Sequence, residues 1–354
     1  KLSVEPYTIA TATTGGAFRD VLRPEDAVMI EQPRHVVLQR TIDQRTLERF
    51  NVGHNFAPPA VLSRDRTLVI AGNGQGKILI WEIATGGSAA DLQVHDKAVL
   101  SLALSPDGRL LASGAADGKI VLTDLATRRK LSEYAGHEGP VTALAFDETG
   151  SVLASGGEDT TILAWRVVRP GEDVRAAPDG EPPSMDDLWK QLVKPDAAIG
   201  QQAAWDLALS GDEAVAMLAE NFRPVPIIKR ERVDGLFLQL DAARYADRQA
   251  AEAELINLGS MVVDDARKLL AESASPEQRL RLNRVLEKVT GSLRREGGNL
   301  RGLRVLAALE RNGSPRARAL LERIAEGEPA AARTVRAKAA LRRLSRRQDA
   351  SDAK

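Results

Sequence analysis

The sequence contains no cysteine, and it has few aromatic residues and few histidines. Cysteine is absent, aromatic residues account for 4% of the chain, and histidine occurs four times. The lack of cysteine excludes disulfide bonds, thiol nucleophiles and zinc sites with cysteine ligands. The histidines lie far apart, without the close spacing of a metal site. We therefore expect no metal centre, and no motif predicts a cofactor.

The overall charge and hydrophobicity are also unremarkable for a globular protein. The formal net charge is zero, with 43% hydrophobic and 28% charged residues in a chain of 354. No apolar run approaches the roughly 18 residues that a membrane-spanning helix needs. Because the chain starts at Lys1 rather than at methionine, we expect a fragment or a processed product of a longer protein. The compartment is therefore not predicted.

The stretch from Val94 to Arg166 contains the same pattern twice. Corresponding positions lie 42 residues apart: His95 and His137, Gly108 and Gly150, Ser113 and Ser155, and Asp117 and Asp159. A period near 42 with short alternating segments is typical of a four-stranded blade of a β-propeller.

The motifs within each repeat resemble those of the WD40 family. They are an Xaa-His start, a Ser-Pro-Asp-Gly hairpin at 105–108, Leu-Ala-Ser-Gly at 111–114 and 153–156, a turn aspartate, and a strand containing Trp165. The resemblance implies a partial WD40 β-propeller with three to four visible blades. We expect WD40 blades over 53–168 and a divergent blade or strap over 1–52. Since such propellers usually close with more blades, we expect an upstream segment or a second chain to complete the ring.

The WD40 resemblance also implies a structural role for a set of polar residues. It implies a hydrogen-bonded tetrad at His137, Ser155, Asp159 and Trp165. The preceding repeat has a partial tetrad of His95, Ser113 and Asp117, with Thr123 in place of tryptophan. A catalytic Ser-His-Asp set is the alternative interpretation, but the family resemblance accounts for every member.

The stretch 72–77 resembles a phosphate-binding glycine loop. Such a loop opens a helix and ends in lysine followed by serine or threonine. Here Lys77 is followed by Ile-Leu-Ile-Trp, which predicts a strand. We therefore expect a turn between two strands and no nucleotide site.

After Trp165 the composition changes, and a helical pattern follows. We expect a linker rich in proline, glycine and acidic residues over 169–183, a HEAT-like α-solenoid over 184–347 and a disordered tail over 348–354. Ser275-Pro276 and Ser314-Pro315 lie 39 residues apart and predict two helix starts. Blades followed by helices resemble the C-terminal region of large bacterial multidomain WD40 proteins, in which regulatory modules precede them.

The charge is divided unevenly between the two parts of this second half. Residues 169–273 contain 12 basic and 20 acidic residues, whereas residues 274–347 contain 19 basic and 7 acidic ones. Clustered arginines favour an acidic protein or a nucleic acid as partner. The alternative is a solvated or intramolecular face.

The sequence as a whole predicts a non-enzymatic protein-interaction scaffold and no catalytic residues. The alternative is binding of nucleic acid or an acidic partner through the basic helices of 274–347. The candidate contact residues are His95, Asp96, His137 and Glu138 on the blade rim, and Arg342, Arg343, Arg346 and Arg347 near the C-terminus.

Overall fold

The structure is a computed structural model of the chain. It describes residues 18–22, 27–32, 34–40, 46–53, 59–167, 183–272, 275–290 and 297–352. The linker predicted over 169–183 lies almost entirely outside the described residues.

Within the described residues, fifteen strands form four antiparallel sheets in chain order. The first sheet contains β1 (Phe18–Leu22), β2 (Ala27–Gln32), β3 (His35–Arg40) and β4 (Thr46–Asn51), and the second contains β5 (Ala60–Leu62), β6 (Leu68–Gly72), β7 (Lys77–Glu82) and β8 (Ser88–Gln93). The third contains β9 (Val99–Leu104), β10 (Leu110–Ala115), β11 (Lys119–Asp124) and β12 (Arg129–Ala135), and the fourth contains β13 (Val141–Phe146), β14 (Val152–Gly157) and β15 (Ile162–Arg166).

The hairpin between β9 and β10 shows how the repeat motif sets the strand register. The backbone N–H of Leu110 donates to Ser105 Oγ at 2.9 Å, and the N–H of Arg109 donates to Asp107 Oδ1 at 3.1 Å. Gly108 has a φ of 73°, a left-handed conformation that glycine adopts without steric cost. The short polar side chains therefore satisfy the backbone donors of the turn, and the two strands pair directly after it.

Ten α-helices follow the sheets within the described residues. They are α1 (Met185–Gln191), α2 (Ala197–Leu209), α3 (Gly211–Asn221), α4 (Arg230–Gln239), α5 (Tyr245–Leu258), α6 (Val263–Glu272), α7 (Pro276–Thr290), α8 (Gly297–Asn312), α9 (Pro315–Ala325) and α10 (Ala332–Asp352). Side-chain caps fix several starts: Ser184 accepts from the N–H of Asp187, and Ser314 accepts from that of Ala317. The predicted order of sheets followed by helices is confirmed.

The helices form two clusters rather than one continuous stack. Helices α4 to α7 surround a core of their own, which includes Phe237, Leu255 and Leu282. Helix α2 instead packs against α8, about a hundred residues further along the chain. In a solenoid each repeat contacts only its neighbours in sequence. The arrangement therefore departs from the predicted HEAT-like stacking.

The second and third sheets share one hydrophobic core with helices α1 to α3 and α8 to α10. Ile78 and Leu111 of the second and third sheets belong to the same buried cluster as Trp205 of α2 and Leu309 of α8. The sheets and the helices therefore do not bury their apolar side chains separately in this part of the described structure.

The predicted C-terminal boundary is also wrong, because α10 continues to Asp352. The sequence predicts a disordered tail from residue 348. The helix continues because residues 348–352 contain no glycine or proline to end it.

Candidate functional site: interaction surfaces

The fourth sheet brings together the four residues expected to form a tetrad. Trp165 Nε1 donates to Ser155 Oγ at 2.8 Å, and Ser155 Oγ lies 2.8 Å from His137 Nε2. The other ring nitrogen, Nδ1, lies 2.9 Å from Asp159 Oδ2. A neutral imidazole that donates to Asp159 and accepts from Ser155 satisfies every step of this chain.

The surroundings of the tetrad fit a structural role. Ser155 is 2% exposed, and its Oγ already accepts from the Trp165 indole. The backbone and hydroxyl hydrogen bonds of Thr161, together with the N–H of Glu138, lower the pKa of Asp159, although partial desolvation opposes them. The carboxylate therefore stays ionised and holds the turn, and the serine hydroxyl has no open approach for a substrate.

The third sheet assembles only part of the same set. His95 Nε2 lies 2.8 Å from Ser113 Oγ, but His95 Nδ1 is 4.0 Å from Asp117 Oδ1 and makes no hydrogen bond. Thr123 occupies the tryptophan position, and its buried Oγ1 has no partner among the described residues. Burial lowers the pKa of His95, against the opposing field of Asp117. The imidazole is therefore held neutral inside the sheet.

The glycine-rich stretch at 72–77 is a closed turn between β6 and β7. Asn73 Oδ1 accepts from the N–H groups of Gln75 and Lys77, each at 2.9 Å. The Lys77 ammonium lies 3.4 Å from Asp91. The turn donors are therefore used within the turn, and a strand follows it, as the sequence predicts.

The most heavily buried charges join the second sheet to α8. Arg304 is fully buried, and its Nε and Nη2 donate to the two carboxylate oxygens of Glu82 at 2.8 and 2.6 Å. Its Nη1 donates to the carbonyl groups of Leu192 and Lys194. Gln201 adds a further donor to Glu82 at 2.7 Å. Removing one partner of such a pair costs about 3–5 kcal/mol, because the other charge stays buried.

A second buried ion pair lies about two helical turns further along α8. Arg311 Nε donates to Asp65 Oδ2 at 2.8 Å, and its guanidinium lies 4.2 Å from the centre of the Trp205 ring. Arg311 also contacts Thr67 and Gln201. Residues 304 and 311 are seven apart, so one face of α8 holds both pairs.

These contacts decide which rim of the sheets is accessible. Asp65 precedes β6 and Glu82 ends β7, so the helices cover the rim at which β6 begins. The connections that contain Asp96 and Glu138 lie at the opposite rim, where the N–H of His95 donates to the carbonyl of Gly76 in the β6–β7 turn. Asp96 and Glu138 are exposed there. The expectation that His95 and His137 contact a partner is wrong, because both side chains are buried within their sheets.

Many arginines of the basic segment are engaged inside the protein. Arg343 makes a two-pronged contact with Glu310 at 2.6 Å, and Arg281 pairs with Glu252 and Glu277. Arg343 is therefore not a free contact residue, contrary to the prediction. Of the others named, Arg342 and Arg346 are exposed, and Arg347 lines a crevice beside Arg64 and Asp107.

Sequence reasoning missed α8 and the two pairs that it carries. The helix has an almost continuous run of buried residues from Arg304 to Glu310, so its apolar pattern lacks a clean helical period. The available signal was a pair of arginines seven residues apart and a glutamate at the end of β7. Nothing in the sequence connects them.

The described residues hold no group of three or more metal-binding side chains. Within the same residues, no helix combines the length and the apolar character that crossing a membrane requires.

Comparison with known proteins identifies the repeats. A family model described as WD domain, G-beta repeat matches residues 86–124 and 128–166. These ranges run from β8 to β11 and from β12 to β15. The chain therefore contains WD40 repeats, and this part of the sequence prediction is confirmed. A search of curated proteins found no match.

Proposed function

We propose that this protein is a non-enzymatic scaffold that binds protein partners through the rim of the sheets opposite the helices. WD40 repeats generally mediate protein–protein interaction, and the chain carries two matched repeats. The observation that carries the proposal is the coverage of one rim by α2 and α8, through Glu82–Arg304 and Asp65–Arg311. At the other rim, Asp96 and Glu138 are exposed in the part of the chain that the structure describes.

The accessible rim indicates the chemistry of the partner. Asp96, Glu138 and Glu158 are exposed on it, and Lys97 is the neighbouring exposed cation. Complementary charge raises association rates and suppresses wrong partners. A basic protein surface is therefore the expected partner.

The histidine, serine and aspartate of the fourth sheet support a non-enzymatic role. All three side chains make hydrogen bonds within the network that ends at Trp165 Nε1, and Ser155 is buried. A nucleophile needs an open approach for its substrate.

A charge-reversal experiment tests the rim. The triple variant Asp96→Lys, Glu138→Lys, Glu158→Lys should reduce partner recovery in quantitative affinity purification by about tenfold, equivalent to about 1.4 kcal/mol. The matched control is Glu213→Lys, Glu220→Lys, Glu322→Lys, which reverses three exposed acids on the helices. Equal loss in both variants, or no loss in either, would contradict the proposed rim.

The second candidate function is binding of an acidic partner or nucleic acid by α10. Lys338, Arg342 and Arg346 are exposed at four-residue spacing, so they lie along one face of the helix. A gel shift at low salt with Arg342→Glu, Arg346→Glu tests it, and an unchanged shift would count against it. Arg343 is left intact because its reversal would oppose Glu310 and disturb the fold.

A further inference from the structure

A crevice lined by arginines lies where α8 and α10 meet the turns of the second and third sheets. Its walls carry the arginines Arg64, Arg311, Arg343 and Arg347 and the acids Asp65, Asp107 and Glu310. Its floor includes Leu68, Leu125 and Trp205, which are at most 5% exposed. We call this site the arginine crevice. Because so little of the floor is exposed, the opening is narrow and suits a single extended side chain.

Two of the four arginines are paired with acids of the same crevice. Arg311 donates to Asp65 at 2.8 Å, and Arg343 donates to both carboxylate oxygens of Glu310 at 2.6 Å. Arg347 follows Arg343 by one helical turn, and in the part of the chain that the structure describes it forms no ion pair and no hydrogen bond. With four arginines against three acids, the crevice has a surplus positive charge, which attracts anions.

A buried donor of Arg311 is also unsatisfied. The side chain is 5% exposed, and its Nη1 has no hydrogen-bond partner among the described residues. The guanidinium is held 4.2 Å from the centre of the Trp205 ring. A buried N–H group without an acceptor is unfavourable. The surplus cation and the unsatisfied donor both favour a ligand that brings a carboxylate.

The third acid of the crevice, Asp107, has a structural role in the turn before β10. Its Oδ1 accepts from the hydroxyl of Ser105 and from the N–H of Arg109. Arg64 lies beside this turn, because a Cβ built on Gly108 would lie 3.8 Å from Arg64 Cβ. The exposed Arg64 therefore brings a further cation to the wall that contains Asp107.

The exposed basic face of α10 lies next to the crevice. Arg343 and Arg347 are four residues apart and both line the crevice. Arg342 and Arg346 each precede one of them, so they lie about 100° around the helix. Both are exposed. An acidic segment that runs along α10 would therefore pass the mouth of the crevice.

We propose that the arginine crevice binds a glutamate side chain from an acidic segment of a protein partner that lies along α10. The carboxylate pairs with Arg347, and the methylene groups contact the apolar floor. The proposal rests on the second candidate function and chooses between its two partners. A narrow crevice with an apolar floor suits an aliphatic carboxylate better than a phosphodiester.

Binding of a defined acidic peptide tests the crevice. The probe is a capped, fluorescein-labelled peptide of alternating glutamate and serine, and fluorescence anisotropy at low salt gives its Kd. Arg347→Gln should raise the Kd at least about tenfold, as loss of an anchoring arginine does. The matched control Arg346→Gln removes the same charge from the neighbouring exposed position and should raise the Kd less than about threefold.

Both variants should fold normally. Neither arginine forms an ion pair among the described residues, so each variant should melt within about 2 °C of the unsubstituted protein.

Two further measurements distinguish the crevice from general attraction by the basic helix. A peptide with aspartate in place of glutamate keeps the charge but loses a methylene group at each position, and should bind about threefold more weakly. The indole N–H resonance of Trp205 should shift when the glutamate peptide is added, whereas that of Trp165 in the fourth sheet should not.

The outcomes separate the crevice from the wider basic face. Equal loss of affinity in Arg347→Gln and Arg346→Gln, equal affinities of the two peptides, or an unchanged Trp205 resonance would overturn the crevice and leave the exposed face of α10 as the binding surface. Binding of a single-stranded oligonucleotide without binding of the peptide would overturn it in favour of nucleic acid. Absence of binding by either probe would refute the second candidate function, and the crevice with it.

Discussion

The third and fourth sheets carry the same repeat, yet different interactions stabilise them. The third sheet is covered on both faces, but its polar set is incomplete, with His95 Nδ1 and Thr123 Oγ1 lacking hydrogen bonds. The fourth sheet has the complete network through Trp165, but its outer face, formed by Val152, Ala154, Ile162 and Ala164, is exposed in the described structure.

The difference indicates that apolar packing and polar hydrogen-bond networks can each stabilise a sheet of this repeat. In the third sheet, burial of Ile120 and Leu122 holds the strands in place despite the unsatisfied hydroxyl. In the fourth sheet, side chains of the network connect the segment before β13 with the middle of β14 and the end of β15. A terminal sheet with a bare face depends more on such internal bonds.

The largest expected contrast concerns the two equivalent glycines. Gly114→Val should destabilise the protein by about 3 kcal/mol, because its side chain would overlap Ser101 of the same sheet and Val141 of the next. Gly156→Val should change the free energy of unfolding by less than about 0.5 kcal/mol. Urea unfolding of both variants checks the contrast. Similar costs at the two positions would show that the outer face is already filled.

The next contrast compares the two equivalent isoleucines. Ile120→Ala should cost about 3 kcal/mol, because Ile120 is completely buried. Ile162→Ala should cost less than about 0.5 kcal/mol, because Ile162 is 83% exposed. Thermal unfolding distinguishes the two, and a large cost at Ile162 would contradict the described exposure.

A smaller effect is expected from the tryptophan position of the tetrad. Trp165→Phe removes the indole donor to Ser155 Oγ and should cost about 1–2 kcal/mol. Thr123→Val in the third sheet removes a buried hydroxyl without a partner, and should be neutral or stabilise by up to about 1 kcal/mol. Chemical unfolding of each variant tests this. A larger cost for Thr123→Val than for Trp165→Phe would refute the claim that the fourth sheet depends on its hydrogen-bond network and the third on packing.

The smallest effect concerns pH and His95. Its pKa lies below the usual 6.5 in the folded protein, because burial disfavours the charged imidazole. The unfolded chain therefore binds the extra proton first, so stability is complete above pH 6.5 and falls as the pH drops below it. His95→Phe should remove this component, as measured by urea unfolding between pH 7.5 and about pH 5.5. An unchanged slope in the variant would assign the effect to another group.

Sequence periodicity predicts the repeats well, because each strand and turn is encoded locally. The 42-residue offset predicts the paired positions of β10 and β14, and the serine–proline pairs at 275–276 and 314–315 predict where α7 and α9 begin. These features depend on residues within a few positions of one another.

The contacts between sheets and helices could not be predicted in the same way. Glu82 and Arg304 are 222 residues apart, and neither lies in a motif that names its partner. The sequence shows an excess of arginine after residue 274. Which of these arginines are buried and which are exposed depends on the tertiary structure. Arg304 and Arg311 are buried, whereas Arg342 on α10 is exposed.

The exposure of the outer face of the fourth sheet also could not be predicted from the sequence. Ile120 and Ile162 occupy the same place in the same motif, and the repeat pattern gives them the same expected burial. The fourth sheet lies against Ile120, whereas no sheet among the described residues lies against Ile162. Burial of a repeat depends on its neighbours as much as on its own residues.

Amide hydrogen exchange tests the central claim most directly, namely that two copies of one repeat are packed differently in this protein. The measurement compares Ile162–Arg166 of β15 with Lys119–Asp124 of β11. We predict fast exchange in β15, which is an edge strand with an exposed face in the described structure, and slow exchange in β11, which is buried between two paired strands. Equally slow exchange in both strands would show that the fourth sheet is covered as the third is, and would contradict this account.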